Sequence, residues 1–89
     1  MPEYEIVFAR SARKDLEGLD RPLQIRSLAK IEALAHLPRP AGCVKLSGRN
    51  SLWRIRIGDY RVVYDIDDNH RRVDVMLIRH RREVYRGMI

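Results

Sequence analysis

The segment that most constrains this fold is Leu52-Trp53-Arg54-Ile55-Arg56-Ile57-Gly58-Asp59-Tyr60-Arg61-Val62-Val63-Tyr64-Asp65-Ile66. Two alternating runs flank a two-residue break that opens with glycine. Alternation with period two is the pattern of a strand with one buried face. A glycine-first dipeptide between such runs suits a tight hairpin turn. With Gly58-Asp59 as the loop, Ile57 faces Tyr60, Ile55 faces Val62 and Trp53 faces Tyr64. These six side chains share one side of the sheet, which must be the core side. The run Arg71–Arg79 extends the pattern as a further strand. Pairing Ile66 with Arg71 would set Val73 beside Tyr64, Val75 beside Val62 and Leu77 beside Tyr60.

The first half reads differently. Tyr4 to Ala9 is a strand with Tyr4, Ile6 and Phe8 on one face. Ser11 can cap a short helix reaching about Leu19, with Ala12, Leu16 and Leu19 inward. Asp20 and Pro22 begin a second helix whose apolar stripe is Ile25, Leu28, Ile31, Leu34 and Ala35. It ends before Pro38, because the residue preceding a proline is pushed out of the helical region. Cys43 to Leu46 is a short strand, and His80 to Ile89 is strand or short helix. The expected order is β-α-α-β-β-β-β. That makes an α+β fold, an antiparallel sheet with two N-terminal helices packed on one face. With 89 residues the chain is read as a single domain, 1–89. A core this thin leaves function to an open face or a shallow groove.

The register that builds the core also puts Arg56 directly opposite Arg61 on the other side, with Arg54 two residues along. Like charges set opposite one another destabilise a sheet, so this arrangement points to an anion. The competing reading is a solvated face with loose ion pairs to Asp65 and Asp74, which share it. Net charge supports the anion. The chain carries +6, and the second half holds eleven basic against six acidic residues, mostly arginine. Arginine's planar fork matches phosphate, and nucleic acid is the commonest acidic partner, ahead of an anionic membrane or an acidic protein. The tail Arg79-His80-Arg81-Arg82-Glu83-Val84-Tyr85-Arg86 adds two proton-handling groups among cations. Alternation carried on to His80 would aim His80 at the arginine face and Arg81 away, unless the chain kinks. His36 and His70 are expected to have local roles. Cys43 is the single cysteine, so no intrachain disulfide or thiolate metal cluster forms. MPEYEIVFAR lacks the pattern of a signal peptide, nothing approaches transmembrane length, and a reducing cytoplasm fits.

The run Leu52–Tyr64 followed by Asp65-Ile66-Asp67-Asp68 resembles the central hairpin of RelE-like toxins, and His80-Arg81-Arg82-Glu83-Val84-Tyr85-Arg86 resembles their C-terminal segment. The opening strand, the two helices, Lys45-Leu46 and Gly48 also fit, so the resemblance to the RelE/ParE toxin superfamily covers essentially the whole chain. It implies a type II toxin with a mobile C-terminal segment. It also implies a cognate antitoxin as partner and ribosome-dependent cleavage of mRNA in the ribosomal A site. In that chemistry the RNA 2′-hydroxyl attacks the phosphate and leaves a cyclic phosphate, with no metal or cofactor. By position, the resemblance assigns Arg61 to the scissile phosphate and makes Arg81 a second phosphate arginine. It assigns Tyr85 to base stacking or to protonation of the leaving oxygen, and Lys45, Arg54 and Arg56 to RNA contacts.

Two departures bear on catalysis. Ser47 stands where some relatives carry a basic residue before the glycine, and Arg54 and Arg56 replace lysines. Arginine holds its proton too firmly to act as a base. That leaves the general base open, with His80 the best candidate because imidazole titrates near neutrality. Two other readings share this fold: a ParE-like toxin that binds DNA gyrase and cuts nothing, and a non-catalytic or decayed toxin domain. The tail with Arg81 and Tyr85 favours the nuclease.

Overall fold

A computed structural model describes residues 3–46 and 51–83. The elements are β1 (Glu5–Phe8), α1 (Arg10–Glu17), α2 (Arg21–Ala33), β2 (Val44–Lys45), β3 (Leu52–Ile57), β4 (Tyr60–Asp67) and β5 (Arg72–His80). They form one five-stranded sheet in the order β1-β5-β4-β3-β2. The order β-α-α-β-β-β-β and the α+β class are as the sequence predicts. One pair departs from the antiparallel expectation: β1 runs parallel to β5, with Glu5 beside Arg72 and Phe8 beside Val75. The sheet is therefore mixed. The first and last strands become neighbours because the helical hairpin carries the chain to the far edge before β2–β5 meander back.

The helix starts separate local from tertiary control. Asp20 caps α2, its carboxylate accepting from the Leu23 amide at 3.0 Å. Ser11 does not cap α1. That helix starts after Ala9 without a side-chain cap, and the Ser11 hydroxyl donates instead to the Met76 carbonyl at 2.6 Å. The α2 stripe is also rotated from its expected position. Ser27, Ile31 and Leu34 are buried, whereas Ile25 is 57% and Leu28 37% exposed. The small Ser27 faces the core, where a leucine would hold the helix further out.

The central hairpin has the predicted register, with Ile57 opposite Tyr60, Ile55 opposite Val62, Trp53 opposite Tyr64 and Arg56 opposite Arg61. Gly58 opens the turn at φ +59°, in the left-handed region that favours glycine. The β4–β5 register differs from expectation. Asp67 pairs with Arg72, Ile66 with Val73 and Tyr64 with Val75. The Asp67 side chain closes this turn by accepting from the His70 amide at 3.1 Å and meeting His70 Nδ1 at 2.8 Å, and Arg71 takes φ +50°. Beyond Val75 a β-bulge intervenes. Val63 pairs with Leu77 and Val62 with Ile78, leaving Met76 as the extra residue. One added residue exchanges the two faces of the strand. Ile78 therefore joins the main core with Ile55, Val62, Tyr64 and Val75. Leu77 moves to the other face, where it forms a second small cluster with Leu46, Val63 and Leu52.

The loop after α2 is strapped to the sheet. The Tyr64 hydroxyl donates to the Pro38 carbonyl at 2.7 Å, and burial pushes its pKa well above the usual tyrosine value. Arg39 lies over the Trp53 ring at 5.2 Å and pairs with Asp68 at 2.9 Å.

Candidate functional site

Arg54 and Arg56 alternate along β3, and Arg61 lies across from Arg56 on β4, so pleating sends the three to the side away from the helices. They line a single shallow pocket of about 230 Å³, completed by Gly42 and Val44. Arg61 bends toward the hairpin turn, its Nη1 donating to the Tyr60 carbonyl at 3.2 Å and the Gly58 carbonyl at 3.4 Å. The Arg56 backbone is tied to α2 through Lys30, whose Nζ donates to the Arg56 carbonyl at 2.9 Å. Arg54 Nε is buried without a hydrogen-bond partner.

The ion pairs among the described residues leave this face uncompensated. Asp74 is held by Arg72 at 3.2 Å, and Asp65 Oδ1 is buried without a hydrogen-bond partner. Arg54, Arg56 and Arg61 take part in none of the salt bridges found among the described residues. Three arginines lining one pocket can bind an anion with several acceptor oxygens.

The bulge decides the fate of the tail residues. After the exchange of faces, Arg79 stands opposite Arg61, and the row Arg56–Arg61–Arg79 crosses three strands. Arg79 Nε pairs with Asp15 of α1 at 3.3 Å. The same carboxylate oxygen accepts from the Ile78 amide at 3.0 Å, on the stretch of β5 beyond the β1 pairing. Sequence reasoning missed Arg79 because uninterrupted alternation put it on the core side. A Met-Leu-Ile run that breaks the alternation at Met76 was the available signal.

His80 changes face for the same reason. It pairs with Tyr60 on the helix side, its ring edge-on to the Tyr60 ring at 5.5 Å. Its Nδ1 accepts from the Arg82 amide at 3.2 Å. The structure thus places His80 outside the arginine pocket. Lys45 is likewise not gathered in. It pairs with Trp53, so it belongs to the face opposite Arg54, Arg56 and Arg61. Arg81 is brought near: its amide donates to the Asp59 carbonyl at 2.7 Å, at the turn that Arg61 also contacts. Tyr85 and Ser47 lie outside the described residues. His36 contacts Glu3, distant in the chain, at 3.4 Å, and His70 contacts Asp67 within its own turn.

Comparison with known proteins places the chain in a family and agrees with its fold. Residues 6–85 match the family described as the ParE toxin of the type II toxin–antitoxin system parDE. The chain is 32% identical to toxin RelE of Mycobacterium tuberculosis, covering 93% of this chain and 87% of that protein. It is 34% identical to toxin RelG of the same organism, covering 93% and 97%. The toxin in the crystal structure of the archaeal RelE–RelB complex from Pyrococcus horikoshii superposes with a TM-score of 0.79 at 27% identity, covering 91% of this chain and 97% of that one.

Proposed function

The chain belongs to the RelE/ParE family of toxins from type II toxin–antitoxin systems, and from that premise we propose that it is a ribosome-dependent endonuclease cutting mRNA in the ribosomal A site. The observation that carries this reading is the convergence of Arg54, Arg56 and Arg61 on one pocket without carboxylate partners among the described residues. In the proposed reaction the RNA 2′-oxygen attacks the adjacent phosphorus and loses its proton. The bond to the 5′-oxygen breaks, and that oxygen gains a proton. The products are a cyclic 2′,3′-phosphate and a 5′-hydroxyl end.

Each residue has a definable part. Arg61 and Arg56 grip the non-bridging oxygens, where charge accumulates in the transition state. Arg79 and Arg81 extend the cationic surface beside Arg61, and Arg54 holds a neighbouring phosphate. Tyr85 stacks on a base or donates the proton to the leaving oxygen. Arginines stabilise charge but are poor bases, and among the described residues no histidine lines this pocket. The ribosome supplies what the pocket does not: it holds the mRNA so that the 2′-oxygen lies in line with the bond to be broken. Alignment of that kind can be worth several kcal/mol, of the order of 7–11 in favourable cases.

A cognate antitoxin is the proposed partner, as in the RelE–RelB complex to which the fold is similar, and the cytoplasm, where ribosomes are, is the proposed site of action. The test is to express the chain and map mRNA 5′ ends. Cuts clustered within translated codons support the reading. Intact mRNA with DNA damage and stalled gyrase would assign the chain to the gyrase-binding branch whose family description it matches. Purified RNA should stay nearly uncut until it is loaded on translating ribosomes. Equal cleavage of free RNA would overturn the division of labour.

A further inference from the structure

Strand β5 changes partners halfway along. Its first four residues, Arg72 to Val75, pair with β1, and the Ala9 amide donates to the Val75 carbonyl at 2.9 Å as β1 gives way to α1. From Met76 onward, among the described residues, no strand lies on that side of β5. Backbone groups left on such an edge need other partners. Helix α1 supplies them from two side chains one turn apart. The Ser11 hydroxyl donates to the Met76 carbonyl at 2.6 Å, and an Asp15 carboxylate oxygen accepts from the Ile78 amide at 3.0 Å.

Asp15 does more than close the edge. The oxygen that takes the Ile78 amide also accepts from Arg79 Nε at 3.3 Å. Both side chains are sheltered, Arg79 33% and Asp15 20% exposed, so salt screens this pair less than one in open water. Arg79 stands opposite Arg61. The two are drawn apart, Arg61 to the Gly58 carbonyl at the β3–β4 turn and Arg79 to α1 at the outer edge of β5. Among the described residues the Arg79 guanidinium donates through Nε alone. A guanidinium anchored there is fixed in orientation and keeps its two terminal nitrogens as a fork for phosphate oxygens. We infer that Asp15 is a positioning residue, through which α1 holds Arg79 as the anchor for a second RNA phosphate, on the β5 side of the one gripped by Arg56 and Arg61. The inference rests on the nuclease reading above. Helix α1 lines no part of the arginine pocket, yet through Asp15 it sets how tightly the RNA is held.

Single-turnover cleavage of mRNA on translating ribosomes, with toxin concentration varied, separates the half-saturating concentration from the limiting rate. Asp15→Asn keeps an oxygen for the Ile78 amide and removes the charge that orients Arg79. Asp15→Asn and Arg79→Gln should each raise the half-saturating concentration ~10-fold, the scale of one hydrogen bond to a charged group, and change the limiting rate less than about threefold. The double variant should be no worse than Arg79→Gln, because Asp15 acts through Arg79. In Arg79→Gln the dependence of log affinity on log salt should become shallower by about 0.7, one phosphate contact to a single strand. Ser11→Ala, which loses a bond to the same edge, should lower the unfolding midpoint and leave the half-saturating concentration unchanged. Arg79→Lys carries the test if Asp15→Asn does not fold: one nitrogen cannot serve as both anchor and fork, so Arg79→Lys should lose nearly as much as Arg79→Gln, and wild-type affinity in Arg79→Lys would show that charge alone suffices. If the wild-type chain cuts no mRNA, the nuclease reading falls and this inference with it. If it cuts, and Asp15→Asn binds as tightly as wild type or tighter, the carboxylate only neutralises Arg79 and the positioning role alone is wrong. Losses that add in the double variant would overturn it as well.

Discussion

At the residue scale, Arg61 and His80 make a sharp contrast. They are one strand apart in the sheet and both attractive from sequence, yet the register sends them to opposite faces. Arg61→Ala should cut cleavage of ribosome-loaded mRNA by about 10²–10³, the usual cost of one electrostatic partner in a transition state. His80→Ala should change it less than about threefold, well below the 10²–10⁴ expected of a general acid or base. Single-turnover rates on translating ribosomes check both, and a His80→Ala loss as large as that of Arg61→Ala would mean the histidine reaches the RNA. Tyr85→Phe divides two roles, since it keeps the ring and removes the hydroxyl. A fall of about 10² or more is expected if the hydroxyl protonates the leaving oxygen, and near-normal turnover would leave stacking alone. These arginines were legible in sequence because the hairpin counts outward from Gly58-Asp59 without a gap. The histidine's face was not, because it lies beyond the bulge.

At the element scale, the bulge in β5 builds the third arginine of the row. Deleting Met76 takes out the extra residue and restores plain alternation. Val75 and Ile78 would still face the core, and Leu77 and Arg79 the other side, each beside its present partner. The variant should therefore fold, losing about 1 kcal/mol of stability to urea with the Ser11–Met76 hydrogen bond, and it should keep cleavage. A folded deletion variant whose cleavage falls as far as that of Arg61→Ala would show that Arg79 does not hold its place in the row without the bulge. Helix α2 shows the same limit on local inference. Its cap at Asp20 is a matter of near neighbours and was legible. The face it buries was not, because Ile25, Leu28, Ile31 and Leu34 all fit one stripe, and only packing selected Ser27 in place of Leu28.

At the scale of the whole molecule, Asp68 joins distant parts of the chain. It accepts from the Tyr4 hydroxyl ahead of β1 at 2.5 Å and from Arg39 after α2 at 2.9 Å, and sits itself in the β4–β5 turn. The Arg39 hydrogen bond, followed by that of Tyr4, holds the Asp68 carboxyl below the usual carboxylate range. A depressed folded-state pKa contributes stability that is present above the unfolded value and lost as pH falls through the folded one. Stability from this tie should be level above about pH 5 and decline below about pH 4, near the ordinary aspartate value. Asp68→Asn should be less stable than wild type at pH 7, and the gap should narrow in acid. Thermal unfolding against pH checks this, and a gap that stays constant into acid would show that the tie contributes nothing through ionisation. Among the described residues no helix is long and apolar enough to cross a membrane.

The sequence by itself determined the central hairpin, its register, the Arg56–Arg61 pair and the α2 cap, because each follows from period, turn chemistry or capping between near neighbours. Tertiary structure decided three things. The parallel β1–β5 pairing depends on where a long connection returns. The bulge at Met76 brings Arg79 beside Arg61 and takes His80 away, where strand alternation and packing compete. The groove between α2 and β3 is walled in part by the loop after α2, which Arg39 and Tyr64 hold to the sheet. All three join residues far apart in the chain, and no local pattern of side chains records how far a strand must shift to fill a core.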